Sequence, residues 1–93
     1  MKTQQFNSVW DALEDDPAER ANLKLRSALM IEIGEFYKKS GLTQKQAAKL
    51  LGTTQPRLND VLKGKIGKCS VDRLVNMLAT VGYQLDLKIS HAA

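Results

Sequence analysis

Apolar residues recur at helical spacing between residues 25 and 36, at steps of three or four. Such steps place side chains on one face of an α-helix, so this stretch predicts an amphipathic helix with one buried face. Asp16 is suited to cap the start, Pro17 to take the first helical position, and Glu19 to complete a capping box. Gly41 provides a stop, because glycine readily adopts the left-handed conformation that ends helices. The helix is predicted from residue 17 to about residue 39, with core-facing positions at Leu25, Ala28, Leu29, Ile33 and Phe36.

An acidic arm is predicted before this helix, over residues 1–15. Within it, Ser8 is suited to cap a short helix over residues 9–14, and Trp10 is expected to pin the arm to the body of the protein. Some apolar residues of the long helix lie off its predicted buried face, and they would meet either this arm or a partner. These off-face residues are Leu23, Met30 and Ile31.

Three shorter helices follow, each beginning at a hydroxyl residue and ending at a glycine. Ser and Thr side chains accept hydrogen bonds from the first amides of a helix, which makes them frequent caps. The predicted caps are Thr43, Thr54 and Ser70, and the predicted stops are Gly52, Gly64 and Gly82. The first of these helices supplies apolar contacts from Ala47, Ala48, Leu50 and Leu51. The last, over residues 71–80, turns inward Val71, Leu74, Val75 and Leu78.

The chain changes period after Gly82. Apolar and polar residues alternate from residue 83 to residue 90, which is the pattern of a β-strand with one apolar face. The apolar positions, assigned to pairing with another chain, are Tyr83, Leu85, Leu87 and Ile89. No second strand is predicted in the sequence, and an unpaired strand leaves its backbone N–H and C=O groups without partners. We therefore expect this strand to pair with a second copy, giving a homodimer, or with a foreign chain.

Composition and charge limit the classes of protein to which this chain can belong. The 93 residues are 43% hydrophobic and 26% charged, the balance of one small globular domain. The net charge is +4, with −3 over residues 1–22 and +7 over residues 23–93. A basic module behind an acidic head is the charge distribution expected of a nucleic-acid binder, although charge alone favours an ordinary solvated surface and the order of residues must decide.

Targeting signals and disulfides are not expected. The sequence lacks an apolar run long enough to span a membrane, and its start lacks the apolar core of a signal peptide. A single cysteine, Cys69, excludes an internal disulfide and fits a reducing cytoplasm. Cys69 is expected to be an inert, half-buried residue before a helix cap.

Residues 42–65 have the pattern of a helix-turn-helix. Ala47 is small enough for a close helix crossing, Gly52 permits the sharp turn, and Leu58 anchors the second helix inward. The opposite side presents groups suited to DNA, since Gln and Asn can bond two positions of adenine and Arg two positions of guanine. Lysines are suited to phosphates, which give affinity and salt dependence. The residues exposed by this pattern are Gln55, Pro56, Arg57, Asn59 and Lys63, with phosphate candidates at Lys45, Lys63, Lys65 and Lys68.

Several of these residues have a plainer alternative. Asn59 and Lys63 also suit an ordinary solvated surface. Thr53 and Thr54 are expected to cap a helix first and to contact phosphates second, because one hydroxyl serves only one of these roles well. Pro56 restricts the backbone of Gln55, which bears on whether Gln55 points into a DNA groove.

The same stretch resembles the Xre family of lambdoid-repressor-like DNA-binding domains, over about residues 25–78. The matching motifs are Leu42-Thr43-Gln44, Ala47-Ala48, Leu51-Gly52 and Lys63-Gly64-Lys65. The resemblance implies that Gln44 contacts a phosphate and packs beside Gln55, and that Lys65 meets the DNA backbone. The predicted DNA-binding set is then Gln44, Lys45, Thr53, Thr54, Gln55, Pro56, Arg57, Asn59, Lys63 and Lys65.

A narrower resemblance covers nearly the whole chain and points to the small HigA-type antitoxins. Besides the acidic arm and the final strand, its motifs are Thr54-Gln55-Pro56-Arg57-Leu58-Asn59-Asp60, Lys63-Gly64-Lys65 and Ser70-Val71-Asp72-Arg73-Leu74. It implies a dimer that represses its own operon and neutralises a RelE/HigB-like ribonuclease toxin. A stand-alone phage or plasmid regulator, and a protein-interaction module that has lost DNA binding, remain open.

The predicted architecture is a mainly α, lambda-repressor-like bundle of about five helices with one short C-terminal β-strand. The arm covers residues 1–15, the DNA-binding domain residues 16–82, and the strand residues 83–90. Two copies would read a palindromic operator with half-sites about 34 Å apart. No catalytic signature, cofactor motif or metal-ligand spacing is present in the sequence, so we expect a protein that is not an enzyme and needs no cofactor or metal.

Overall fold

A computed structural model describes residues 16–91 of the chain. Within that range, the structure contains four α-helices and one 3₁₀ turn. Their bounds are α1 Pro17–Ser40, α2 Gln44–Leu50, α3 Gln55–Leu62, the 3₁₀ turn Ile66–Lys68 and α4 Val71–Thr80. The mainly helical prediction is confirmed. The short helix predicted over residues 9–14, which would be the fifth, lies outside the described residues together with Trp10.

Helix α1 begins and ends where its sequence predicts. An Asp16 side-chain oxygen accepts a hydrogen bond from the Ala18 amide at 3.0 Å, and Pro17 occupies the first turn. Gly41 ends the helix at a φ of 67°, in the left-handed region that favours glycine. With 24 residues, α1 is about 36 Å long and forms the spine against which the shorter helices pack.

The core lies where α1 meets α3 and α4. Leu29 and Ile33 are buried as predicted, but Met30, predicted off the buried face, is also only 8% exposed. Because both α3 and α4 pack on α1, its buried face is wider than one stripe. Leu25, predicted to face the core, is 46% exposed, since α1 is far longer than the ten-residue α4 that covers it.

Helices α2 and α3 pack through small residues and a tight turn. Thr43 and Gln46 form a reciprocal capping box at the start of α2, with hydrogen bonds of 3.1 and 3.2 Å. Ala47 is completely buried, which permits the close crossing predicted from its size. Gly52 has a φ of 70°, as the sharp turn requires. Leu50 points away from the core at 52% exposure, so its predicted apolar contact is wrong.

The C-terminal strand is not observed in the single chain. Residues 83–91 have no regular secondary structure, and the side chains of Leu87 and Ile89 are 80% and 83% exposed. A strand exists only when its backbone pairs with a second strand, and residues 16–91 of one chain offer none. Tyr83 nevertheless ties the start of this tail to the body, through a T-shaped ring contact with Phe36 at 6.2 Å.

Among residues 16–91, no helix is both long and apolar enough to cross a bilayer.

Candidate nucleic-acid interface

Helix α3 starts at a well-formed cap. The Thr54 hydroxyl accepts a hydrogen bond from the Arg57 amide at 3.3 Å, which confirms that Thr54 acts as a cap. Gln55 and Pro56 take the first two helical positions, where a missing N–H costs no intrahelical hydrogen bond. Pro56 is therefore accommodated without bending the helix.

The two faces of α3 differ completely in exposure. Leu58 is fully buried and Val61 is 6% exposed, so these residues anchor the helix to the core. Gln55, Pro56 and Arg57 form an exposed first turn at the start of the helix. This exposed turn carries a guanidinium, an amide and an apolar ring within three consecutive residues. Such a combination can bond base edges and touch a thymine methyl group.

The remaining predicted residues fall at the edges of α2 and α3. Gln44 is the first residue of α2 and is half-buried, while Lys45 beside it is exposed. Asn59 is half-buried and Lys63 is exposed at the end of α3. Gln44, Asn59 and Lys63 border one groove, so the packing of α2 on α3 brings these three together. The pairing of Gln44 with Gln55 stays a prediction.

The turn between α2 and α3 holds Thr53. Its backbone N–H donates to the Ala48 carbonyl at 2.9 Å, and the residue is half-buried. Thr54 rather than Thr53 is therefore the cap of α3, and the phosphate contact of either hydroxyl stays a prediction.

Lys65 stands at the exit of α3 and is loosely paired. Its Nζ lies 4.0 Å from an Asp60 carboxylate oxygen, and its side chain is 48% exposed. Its backbone N–H donates to the Asp60 carbonyl at 2.9 Å, which fixes the turn after α3. An exposed ion pair at that distance contributes little, so the ammonium group can exchange its carboxylate partner for a phosphate.

Arg26 stabilises the turn that follows Lys65, and this role is not evident from the sequence. From α1, its Nη1 donates to the carbonyls of Ile66 at 2.9 Å and Cys69 at 3.4 Å. Its Nη2 pairs with Glu19 at 3.2 Å. Arg26 thereby holds the 3₁₀ turn that follows Lys65 against α1. The spacing of Glu19 and Arg26 places both on one side of a helix, but carbonyl partners 40 residues away leave no signal in a sequence.

Cys69 is more enclosed than expected. It is 7% exposed, and its Sγ–H donates to the Lys65 carbonyl at 3.4 Å. Burial raises the pKa of the Cys69 thiol, the nearby Asp60 charge raises it further, and Arg26 partly opposes both. The thiol therefore stays protonated at neutral pH and suits a packing role. No group of three His, Cys, Asp or Glu residues within residues 16–91 is placed to hold a metal ion.

A groove runs between α1 and α3 beside the exposed turn. This α1–α3 groove has a volume of about 590 Å³. Buried Met30 and Val61 line it together with half-buried Ile31 and Leu62, and exposed Lys63 lines it just after the end of α3. Most of its lining is apolar, whereas the adjoining edge of α3 is polar and basic.

The architecture agrees with the comparison with protein families. The family described as helix-turn-helix domain matches residues 12–90, which span all four described helices and nearly all of the tail. Comparison with curated proteins found no significant match. The matched range includes α2, the Gly52 turn and α3 in the order and packing of a helix-turn-helix. The chain therefore belongs to the helix-turn-helix domain family.

Proposed function

We propose that the protein is a sequence-specific DNA-binding transcriptional repressor that acts by binding and not by catalysis. The exposed first turn of α3 is the observation that carries this proposal. An α-helix is about 10–12 Å across and the major groove of B-DNA about 12 Å wide, so α3 can enter that groove with Gln55 and Arg57 leading. The buried Leu58 holds the helix rigidly behind them.

The predicted residues fall into two groups, one suited to sequence-specific contacts with bases and one suited to non-specific contacts with phosphates. Arg57 and Gln55 suit base edges, whereas Lys45, Lys63 and Lys65 suit phosphates on either side. Base contacts would set the preferred DNA sequence, and phosphate contacts would supply affinity that falls as salt rises.

A homodimer on a palindromic operator completes the proposal. One α3 contacts only a few base pairs, so two copies reading half-sites one helical turn apart would give tighter and more specific binding. The tail supports a homodimer, because its exposed apolar residues Leu85, Leu87 and Ile89 alternate with polar residues. Its backbone N–H and C=O groups can form hydrogen bonds with a second strand. Antiparallel pairing of two tails would cover these side chains.

Selection from a random library of DNA duplexes tests the repressor proposal without knowledge of the operator. We expect the enriched sequences to contain an inverted repeat with centres about 10 base pairs apart. Recovery of unrelated duplexes with no common motif would contradict sequence-specific binding and would favour a protein-interaction module.

The narrower role that we propose is that of an antitoxin. The resemblance to HigA-type antitoxins supports it, and so does the net charge of −3 over residues 1–22. A RelE/HigB-like toxin binds RNA through a basic face, and an acidic arm could cover that face. The partner would be a small basic ribonuclease encoded next to this chain.

Co-expression with the product of an adjoining reading frame tests this narrower role. An antitoxin would restore growth that the partner alone arrests and would co-purify with that partner. The absence of any growth effect from adjoining frames would favour the stand-alone regulator, which leaves the DNA-binding proposal intact.

A further inference from the structure

The α1–α3 groove has the size and the apolar lining of a small-molecule site. At about 590 Å³, it lies within the range of about 300–1,000 Å³ that is typical of ligand pockets. Buried Met30 and Val61 form its floor, and half-buried Ile31, Leu62 and Ile66 form its walls. Apolar surface of this kind gains free energy when a ligand excludes water from it.

Gly34 keeps the α1 wall of the groove open. A Cβ atom added at Gly34 would meet no atom within 4 Å, so packing among residues 16–91 does not require a glycine here. Glycine within a helix is less stable than alanine at the same position. The groove therefore contains space that the side chains of residues 16–91 do not fill.

Cationic and amide groups stand at the opening of the groove. Lys38, in the last turn of α1, and Lys63, just after the end of α3, both line the groove and are exposed. Within residues 16–91, neither ammonium group forms an ion pair or a hydrogen bond. Gln44 and Asn59 line the groove with them and carry amide N–H donors. The opening can therefore bind a polar group of a ligand whose other end lies on the floor.

The balance of charge favours an anion over a cation. Among the described lining residues, the two lysines face a single acidic one, half-buried Glu35. Residues 23–93 as a whole carry a net charge of +7. An anionic group at the opening can pair with either lysine and accept hydrogen bonds from the amides. Because exposed ion pairs contribute little binding free energy, the floor would supply affinity and the lysines would select the charge of the ligand.

We propose that the α1–α3 groove binds a small amphipathic carboxylate, with its apolar body against Met30 and Val61 and its carboxylate at Lys38 and Lys63. A medium-chain fatty acid is a simple member of this class. A wholly polar anion would leave the apolar floor exposed to water, and an apolar cation would place its charge beside two lysines. The floor and the opening therefore specify the two ends of the ligand.

Binding of such a ligand would lower affinity for DNA, and this part rests on the proposed function. Gln44, Asn59 and Lys63 line the groove and also belong to the predicted DNA-binding set. A carboxylate held at Lys63 would occupy a predicted phosphate contact and would repel phosphates within the Debye length of about 8–10 Å. The ligand would therefore act as an inducer that releases the repressor from its operator.

Fluorescence of anilinonaphthalene sulfonate, an apolar aromatic anion, tests the site independently of DNA. We expect the emission of this dye to rise on titration with the full wild-type chain and to saturate at one dye per chain. Decanoate should displace the dye, and decyltrimethylammonium, which has the same chain and a positive head, should need about tenfold higher concentration. Absence of saturable binding, or equal displacement by the anion and the cation, would overturn the proposal.

Gly34→Glu places a carboxylate and its methylene groups in the groove. It should weaken dye binding by about tenfold, because the added charge repels the anion. Glutamate is a better helix former than glycine, so the fold is preserved. Gly67→Glu is the matched control, because Gly67 also has no atom within 4 Å of an added Cβ but does not line the groove.

The control should bind the dye as the wild-type chain does, and circular dichroism should show native helix content in both variants. Equal dye binding by Gly34→Glu and Gly67→Glu would overturn the groove as the site.

The exposed tail is the competing site for an apolar dye, because Leu87 and Ile89 are 80% and 83% exposed. Leu87→Asn combined with Ile89→Asn should retain the saturable dye binding of the wild-type chain. Loss of that binding would overturn the groove site in favour of the tail.

Fluorescence anisotropy on the selected duplex measures the effect on DNA. Saturating decanoate should weaken DNA binding by about three- to tenfold relative to acetate at the same concentration, which supplies the same charge without the apolar body. Gly34→Glu should show no such difference between the two carboxylates. Unchanged affinity of the wild-type chain would overturn the inducer role while the dye result still stands. Failure of the wild-type chain to bind DNA would overturn the proposed function and leave the ligand site to be judged by the dye alone.

Discussion

Arg57 and Arg26 carry the same guanidinium group in opposite surroundings. Arg57 is exposed at the start of α3, whereas the Arg26 side chain is only 13% exposed and bonds two backbone carbonyls. Arginine at an exposed helix start can form a bidentate contact with guanine, and arginine under the surface can fix two chain segments together. Under the proposed function Arg57 would therefore contact DNA bases, whereas the contacts of Arg26 give it a supporting role.

Replacement of Arg57 tests the recognition role. Arg57→Ala should weaken binding to the selected duplex by about 10- to 100-fold, because a good bidentate base contact is worth about 1–3 kcal/mol. Its effect on a scrambled duplex should be much smaller. Fluorescence anisotropy with labelled duplexes measures both affinities. Arg73→Ala, an exposed arginine on α4, is the control, and an equal loss in both variants would contradict a specific role for Arg57.

Reactivity of Cys69 tests the enclosure of the turn after α3. Because burial raises the pKa of the Cys69 thiol above its ordinary value near 9.0, modification by a disulfide reagent should need a pH above that value in the folded protein. The folded state favours the protonated thiol, so this contribution to stability is present below pH 9 and is lost as pH rises through the raised pKa. If the Cys69 thiol of the folded protein reacted at neutral pH as fast as it does in denaturant, the turn after α3 would be open rather than enclosed.

Arg26 joins two elements of the fold, since it bonds α1 to the 3₁₀ turn. Hydrogen bonds from charged groups contribute about 1.5–3 kcal/mol, and the exposed Glu19 pair adds little. Its Nε is buried without a hydrogen-bond partner among the described residues, which offsets part of that gain. Arg26→Met should therefore lower the free energy of unfolding by about 1.5–3 kcal/mol in urea denaturation. Arg73→Met should change it by less than about 0.5 kcal/mol, and equal effects would rule out the joining role.

Local signals in the sequence were sufficient to predict most helix boundaries. The caps Asp16, Thr43 and Thr54 and the stops Gly41 and Gly52 depend on residues next to them in the chain, and the structure confirms all five. Because capping is local chemistry, it can be recognised without knowledge of the packing.

Burial depended on contacts that the sequence does not show. Met30 is buried because α3 and α4 both pack on α1, and Leu25 is exposed because α1 is far longer than α4. The exposure of Gln55 and Arg57 in the first turn of α3 could be predicted from the sequence. The carbonyl partners of Arg26 could not, because they are brought to it only by the fold.

The proposed homodimer depends on the tail. Leu87→Asn combined with Ile89→Asn should shift the protein towards a monomer in sedimentation velocity, because the exposed apolar face of the tail is lost. Both side chains are at least 80% exposed, so the fold of one chain should be unaffected. Asp86→Asn with Lys88→Asn keeps the net charge and should leave the dimer intact. A dimer that survives the first double substitution would contradict pairing through the tail.

Fluorescence anisotropy on DNA from upstream of the coding sequence of this chain measures the proposed DNA binding itself. A scrambled duplex of the same composition is the control, and each duplex is titrated at two salt concentrations. We predict tight binding to the upstream duplex, weaker binding to the scrambled duplex, and a steep loss of affinity at the higher salt. Equal binding to both duplexes would contradict sequence-specific repression of its own gene, and no binding at low salt would contradict DNA binding itself.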